Sequence, residues 1–238
     1  QGVAMFALYL LGGVSAMLTA WLFKAVLLGG DLRPFYMELP PYRFPAPKSV
    51  LLSMWDSAKV FLRKAGTIIL GTSILLWLLL NLPPRSAEVS GLDSAAASAY
   101  IVEHSLAAQL GKLIEPLFAP LGFDWRICVG LIGAMAAREV FVATIGQIFA
   151  ASDPESPSSA VQSAVYTAGP HQGELLFTAP TTVALLVFFA YALLCMSTVA
   201  TIRRETNSWK WPAVAWLYTF TLAWGAAFLA RHVTIWLG

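Results

Sequence analysis

The sequence predicts an all-α, polytopic membrane protein with a gate helix that is either broken or re-entrant. The chain has 238 residues, of which 58% are hydrophobic and only 12% charged. Its mean hydropathy of +0.69 lies above the range of soluble domains. Apolar runs long enough to cross about 30 Å of hydrocarbon recur along it. One otherwise apolar, small-residue segment contains two adjacent ionisable residues, Arg138 and Glu139.

The first third of the chain contains two predicted spans and a polar connection. Residues 1–30 are expected to form a transmembrane helix, because they are rich in Leu and Ala up to a Gly-Gly pair. Residues 31–64 are expected to form a cytoplasmic, Pro-rich connection whose second half is an amphipathic helix on the membrane surface. Residues 65–82 form the second predicted span, which two prolines close.

The remaining two thirds alternate between loops and apolar segments. The segment boundaries follow from the length of the apolar runs and from the Pro, Ser and charged residues between them. The predicted segments are an extracytoplasmic loop with a short proline-broken helix (83–121), a gate helix that is either re-entrant or broken (122–150), an extracytoplasmic loop (151–179), a transmembrane helix (180–202), a cytoplasmic basic loop (203–211) and a last transmembrane helix (212–238).

The distribution of basic residues predicts the orientation. Seven of the 15 Lys and Arg residues lie between positions 24 and 64, and three more lie in 203–210. Only Arg85 and Lys112 lie in the loops 83–121 and 151–179. The positive-inside rule therefore places the first group in the cytoplasm and the second group outside. Positions 83 and 151 then share a side, so the chain between them crosses an even number of times, which favours a re-entrant or discontinuous hairpin.

The Arg138–Glu139 pair predicts a transport path. A charge at the bilayer centre costs roughly 2.5–3.5 kcal/mol even on insertion scales. Neighbouring residues of a helix point about 100° apart, so these two side chains cannot neutralise each other. Each one needs a partner, a water-filled cavity or a passing ion. We therefore expect both side chains to lie buried at bilayer depth beside a hydrated path.

Sulfur and carboxylate side chains are the candidate metal ligands. On a continuous helix, Met135 and Glu139 lie one turn apart on the same face as Cys128, which is itself too distant for one site. Thioether, thiol and carboxylate suit a borderline transition metal. Cys195 and Met196 place a second thiol and thioether together. Each sulfur residue can instead be simple apolar packing, and Arg138 can snorkel or hold a backbone carbonyl.

Other chemistry is not indicated. The three histidines lie at or outside span ends and lack ligand spacing to one another. The chain has no phosphate-binding loop and no nucleophile–base pair, so we expect no enzyme activity, no catalytic residue and no bound cofactor within it. A formal net charge of +2 does not point to nucleic acid. The chain starts in an apolar segment without a signal peptide and looks like a piece of a longer protein.

Three motifs in sequence order resemble the bacterial ferrous iron transport protein B family, FeoB. They are Glu38-Leu-Pro-Pro-Tyr-Arg43 with Met54-Trp55 and Phe61-Leu-Arg-Lys-Ala-Gly-Thr67, then Gly130 to Thr144, and then Cys195 to Thr206 with Trp209 and Trp211. Two positions differ from the family pattern. Arg138 stands where the family usually has lysine, and an arginine fork is not a point charge. Leu194 stands where the family usually has proline, which argues against a helix break there.

The resemblance implies a function in iron transport. It implies that this chain is the C-terminal part of a membrane domain that moves Fe²⁺ into the cytoplasm, with the second gate. It implies Glu139 and Cys195 as transient Fe²⁺ contacts, Met135 and Met196 as secondary ones, and Arg138 as a gate or orienting charge. It also implies a multi-pass protein of the cell inner membrane, whose missing parts include a G domain that binds GTP and Mg²⁺ and further membrane helices. Small Feo accessory proteins are possible partners besides the lipid bilayer.

Two alternatives stay open at this point. A nucleoside or organic-solute permease half with a gate-type fold should have polar amides along the same helices, whereas Gln147 is the only amide in 127–150. A non-transporting membrane assembly scaffold should turn Arg138 and Glu139 toward a partner protein. Neutralising those two residues would then change oligomerisation and leave flux unchanged.

Overall fold

The computed structural model describes residues 2–26, 46–82, 94–135, 137–150, 157–167 and 171–237. The chain divides into two compact units, Gln1–Ala65 and Gly66–Gly238. The described residues are helical and form no named strand. The Glu38–Arg43 motif, singled out from the sequence, lies outside the described residues.

The first unit contains α1 (Gly2–Val26) and the start of α2 (Pro47–Asn81). Large apolar side chains point outward all around α1, among them Tyr9, Met17 and Trp21. A helix that is apolar on every side belongs in a membrane or a large core. The sequence predicted a surface helix ending near residue 64 and a separate span from 65, but α2 is one continuous helix of 35 residues. Gly66 lies inside this helix without interrupting it. A glycine in a helix interior costs only about 1 kcal/mol relative to alanine.

The second unit holds the rest of α2 and eight further helices among the described residues. In chain order they are α3 (Ser94–Glu103), α4 (Leu106–Phe118), α5 (Trp125–Ala134), α6 (Val140–Ala150), α7 (Pro157–Gln162), α8 (Ala179–Tyr191), α9 (Met196–Thr206) and α10 (Lys210–Leu237). Within this unit α8 packs most extensively along α10, and α4 packs on α5.

Helices α4 and α5 form a bent pair. A short 3₁₀ turn, Ala119–Leu121, follows α4, and the helix axes differ by 102° across the turn to α5. Gly122 adopts a φ of 78°, which glycine reaches without the steric cost of a side chain. Asp124 then caps α5 by accepting from the Ile127 amide at 3.1 Å. Pro116 lies inside α4 without ending it, contrary to the proline break predicted there.

Among the described residues, two stretches are long and apolar enough to cross a membrane, Ala179–Thr206 and Lys210–Leu237, and the bent pair makes a third if it counts as one span. The chain is therefore a helical membrane protein. The first stretch differs from the continuous helix predicted over 180–202. Its helix stops at Tyr191 and restarts at Met196, so this candidate span is interrupted near its middle.

Candidate metal path

The predicted gate helix is broken, and the break contains the charged pair. Helix α5 ends at Ala134 and α6 begins at Val140, so Arg138 and Glu139 lie between helices and not inside one. The prediction that Cys128, Met135 and Glu139 share one helical face is therefore wrong, because the helix ends between Met135 and Glu139. Cys128 is fully buried in the apolar core instead.

A second break lies in the next apolar segment, at residues 192–195. Helix α8 ends at Tyr191, Ala192 is extended with ψ 131°, and Cys195 is the extended residue before α9. No proline precedes Cys195, so the chain breaks here without the residue that usually causes a break. The expectation drawn from Leu194, that the helix continues, is wrong.

The two breaks lie against each other. The Met196 amide donates to the Met135 carbonyl at 3.1 Å, which joins the start of α9 to the end of α5. Each break also leaves helix-terminal amides and carbonyls that no longer have partners within their own helix. The crossing, as we name residues 135, 137–139 and 192–196, therefore combines two helix carboxyl ends with two helix amino ends. Discontinuous helices of this kind form the ion sites of many transporters.

Arg138 binds the carboxyl end of α8. Its guanidinium donates to the Phe189 carbonyl, and its Cζ atom lies 5.8 Å from the centroid of the Phe189 ring. In a continuous helix that carbonyl would accept from residue 193, but α8 has ended by then. A cation at this position also opposes the partial negative charge of the helix carboxyl end. Arg138 thus satisfies a group that the second break exposes.

Small residues allow α6 to pack closely against α5 behind the first break. A Cβ atom at Gly130 would lie 2.8 Å from the Phe141 ring, and one at Gly133 would lie 2.9 Å from the Thr144 hydroxyl. The Phe141 ring in turn contacts that of Phe189 at 4.5 Å between centroids. These glycines keep the segment before the break next to the segment after it.

The structure brings the candidate sulfur ligands together but encloses none of the predicted ligands. Met135 and Met196 are joined through their backbones, and Cys195 directly precedes Met196. The Cys195 thiol shares a 2.9 Å hydrogen bond with the Ser197 hydroxyl. Glu139 and Arg138 are exposed on the surface of the described residues, and their position at bilayer depth stays a prediction. Within the described residues, no three His, Cys, Asp or Glu side chains are grouped closely enough to hold a metal ion.

An apolar pocket of about 190 Å³ adjoins the crossing. Its walls come from α4, α5, α8, the second break and α10, and they include Met135, Leu193, Leu194, Phe188 and Trp216. Amides, the groups that would bind the polar parts of a nucleoside, are absent from this lining. The crossing thus has candidate sulfur and carboxylate ligands on its two breaks and an apolar pocket beside them.

Sequence reasoning missed a polar cluster around the bend between α4 and α5. Arg126 donates from Nε to Asp124 at 2.5 Å and from Nη2 to the Val165 carbonyl at 2.5 Å. The Tyr166 hydroxyl donates to the Gly122 carbonyl at 2.7 Å, and the indole N–H of Trp125 donates to the Thr167 hydroxyl at 3.1 Å.

We call residues 122–126 and 165–167 the tip clamp. Asp124 is 1% exposed and Arg126 is 9% exposed. Burial raises the pKa of the Tyr166 hydroxyl above its ordinary value of 10.0. The one signal in the sequence was the charged turn that precedes an apolar helix, Asp124-Trp-Arg126. The segment that it contacts, residues 165–167, lies about 40 residues away and gave no signal in the sequence.

Two family models match this chain. The model described as "Ferrous iron transport protein B C terminus" matches residues 5–56, and the gate model described as "Nucleoside recognition" matches residues 62–209. Both breaks and the tip clamp lie within the second match.

Curated relatives match nearly the whole chain. The chain is 37% identical over 234 residues to the Fe(2+) transporter FeoB of Leptospira interrogans, covering 98% of this chain and 33% of that protein. It is 33% identical over 229 residues to the Fe(2+) transporter FeoB of Methanocaldococcus jannaschii, covering 95% of this chain and 31% of that protein.

A third relative has a composite name. The Fe(2+) transport protein A/Fe(2+) transporter FeoB fusion protein of Porphyromonas gingivalis is 35% identical over 259 residues, covering 98% of this chain and 31% of that protein. The chain thus spans about one third of the length of the curated relatives it matches. No solved structure gives a significant match.

Proposed function

The chain belongs to the ferrous iron transport protein B family as the C-terminal part of its membrane domain, and from this premise we propose that it forms part of the Fe²⁺ permeation path and its gate. The observation that supports this most is the crossing, where two broken helices meet at the Met196–Met135 backbone hydrogen bond. Non-helical backbone at membrane depth is stable only where protein or a water-filled cavity covers it.

The chemistry of the crossing suits a transition metal in transit. Thiol, thioether and carboxylate groups from Cys195, Met135, Met196 and Glu139 are ligands of intermediate softness, as Fe²⁺ accepts. A path requires binding that is strong enough for entry and weak enough for release. A few ligands that do not surround the ion therefore suit a transported Fe²⁺ ion better than a permanently bound metal. Arg138 would serve as the gate or orienting charge.

The whole protein would couple this path to a nucleotide domain. We propose that the residues beyond this third of the protein include a G domain that binds GTP and Mg²⁺, together with the remaining membrane helices. The chain itself would then contribute transport and no catalysis. The concentration of Lys and Arg in 24–64 and 203–210 favours a protein of the cell inner membrane with those segments in the cytoplasm. The fusion protein of Porphyromonas gingivalis suggests a small Feo accessory protein as partner.

The alternatives make different predictions at the same residues. The description of the gate model, "Nucleoside recognition", favours the nucleoside permease alternative. The pocket beside the crossing, however, is apolar and its lining lacks amides. An assembly scaffold would use the exposed Arg138 and Glu139 as contacts to another protein. Neither alternative requires the sulfur residues to lie at the crossing, whereas an iron path does.

The proposal is tested by uptake of ⁵⁵Fe²⁺ into cells that express the full-length protein. Glu139→Gln and Cys195→Ser should each lower uptake at least several-fold while the amount of protein in the membrane stays the same. Glu205→Gln is the matched control, because Glu205 is an exposed carboxylate paired with Arg204 beyond the crossing. Unchanged uptake in both crossing variants would remove these residues from the path. A change in oligomeric state without a change in uptake would favour the scaffold.

A further inference from the structure

Arg138 is the one charged side chain that connects the two breaks in the described residues. It follows the first break in sequence, yet its guanidinium binds the Phe189 carbonyl of α8, two residues before that helix ends at Tyr191. The neighbouring Phe188 carbonyl is satisfied differently, by the Ala192 amide at 2.9 Å. The carboxyl end of α8 is thus capped partly by the backbone that follows it and partly by a side chain from the segment between α5 and α6.

The same carbonyl end would attract a metal ion. Half-helix carboxyl ends and unwound carbonyls coordinate cations in transporters, because carbonyl dipoles point toward the ion. Arg138 is a cation that already occupies this position. A fixed positive charge beside a path also repels a divalent cation. Arg138 is therefore placed both to hold the break and to oppose the cargo.

We propose that Arg138 is a positioning residue that acts as a tethered substitute for the cargo ion. Its guanidinium holds the carboxyl end of α8 and thereby keeps residues 192–195, with Cys195, in the described conformation. Its charge lowers the affinity of the crossing for Fe²⁺, so that an ion which enters can leave. This inference rests on the proposed function for its second part only, since the first part concerns the conformation of the break.

Alkylation of Cys195 tests the first part without any metal. The full-length protein in membranes is treated with N-ethylmaleimide, and the rate at Cys195 is followed by peptide mass spectrometry. Arg138→Gln and Arg138→Met should raise that rate at least threefold, because the break loses its cap, and Arg138→Lys should stay near the parent rate. Cys128, which is fully buried in the core, is the internal control and should stay unmodified in every variant.

The concentration dependence of ⁵⁵Fe²⁺ uptake tests the second part. Arg138→Gln should lower the apparent KM several-fold and lower the maximal rate, because the ion binds more tightly and leaves more slowly. Arg138→Lys keeps the charge and should keep both values. A merely structural role would lower the maximal rate without lowering KM.

The outcomes are separable. If Arg138→Gln leaves alkylation of Cys195 unchanged, or if Arg138→Lys behaves like Arg138→Gln in both assays, the inference is overturned. If Arg138→Gln changes only the maximal rate of uptake, the proposed effect of its charge on the cargo is overturned. If the parent protein takes up no ⁵⁵Fe²⁺ but alkylation follows the expected order, the proposed function fails and the positioning role stands.

Discussion

The tip clamp and the crossing are both irregular segments between helices, yet they are stabilised in opposite ways. At the tip clamp, buried and half-buried side chains bond to the backbone and to each other: Arg126, Asp124 and Tyr166 take part in four hydrogen bonds of 2.5 to 3.1 Å, three of them to backbone groups. At the crossing, Glu139 and Arg138 are exposed, and within the part of the chain that the structure describes one backbone hydrogen bond and one arginine contact join the two breaks. A densely satisfied polar network is rigid, whereas a sparsely bonded segment opens at low cost. The difference indicates that the tip is an anchor and the crossing is the part that can move.

Removing the cation of the tip clamp should have the largest effect. Arg126→Met leaves the Asp124 carboxylate buried beside an apolar chain, and breaking a buried ion pair on one side costs about 3–5 kcal/mol. We expect a large loss of thermal stability in detergent, measured by intrinsic fluorescence or by size-exclusion chromatography after heating. Arg204→Met is the control, since Arg204 lies in an exposed pair. Equal stability of the two variants would show that the tip is no better anchored than the exposed turn.

Overpacking α4 against α5 should have the next largest effect. A Cβ atom at Gly111 would lie 2.5 Å from the Trp125 carbonyl oxygen, a backbone atom that cannot move aside. Gly111→Ala should therefore destabilise the protein by about 1–3 kcal/mol, although alanine favours helices. Gly146→Ala is the matched control, because nothing lies within 4 Å of a Cβ atom there. The same heating assay should show a lower midpoint for the first variant and an unchanged or higher one for the second.

Removing one hydroxyl of the tip clamp should have a moderate effect that depends on pH. Tyr166→Phe loses the hydrogen bond to the Gly122 carbonyl, worth about 1 kcal/mol. Because burial raises the pKa of Tyr166 in the folded protein above the ordinary 10.0, the folded state holds this proton more tightly than the unfolded state. Its contribution is complete below pH 10 and is lost as the pH rises through the folded pKa.

Stability measured from pH 8 to pH 11 checks this sign. The parent protein should lose stability above pH 10 more steeply than Tyr166→Phe. Parallel curves for the two proteins would mean that the hydroxyl is not held by the clamp.

Substitution at the crossing should have the smallest effect on stability. Glu139 is exposed, so Glu139→Gln should change the free energy of unfolding by less than about 0.5 kcal/mol, even though it is expected to lower Fe²⁺ uptake. Heating the Glu139→Gln and Arg126→Met proteins side by side sharpens the contrast between the two regions. A loss of stability in Glu139→Gln as large as in Arg126→Met would contradict the view that the crossing is the loosely held region.

Much of the architecture could be predicted from the residues, since it depends on hydrophobic length and composition. The membrane class, the last span and an irregular region around Arg138 and Glu139 all followed from apolar runs and from the cost of placing charge in lipid. The breaks at 135–139 and 192–195 could not be predicted in the same way. The first has small residues and the second has apolar ones, and neither contains a proline, so local propensity favours a continuous helix at both.

Residue order alone determines that this chain is helical, belongs in a membrane and has sulfur and carboxylate groups in its apolar segments. These properties follow from transfer free energies, which depend on the residues and not on their partners. Tertiary structure decided where the helices break and which groups meet: the Met135 carbonyl is satisfied by Met196, and the Phe189 carbonyl by Arg138. A helix gives up an internal hydrogen bond only when another segment supplies a replacement. That replacement comes from residues 50 or more positions away, beyond the reach of any local pattern.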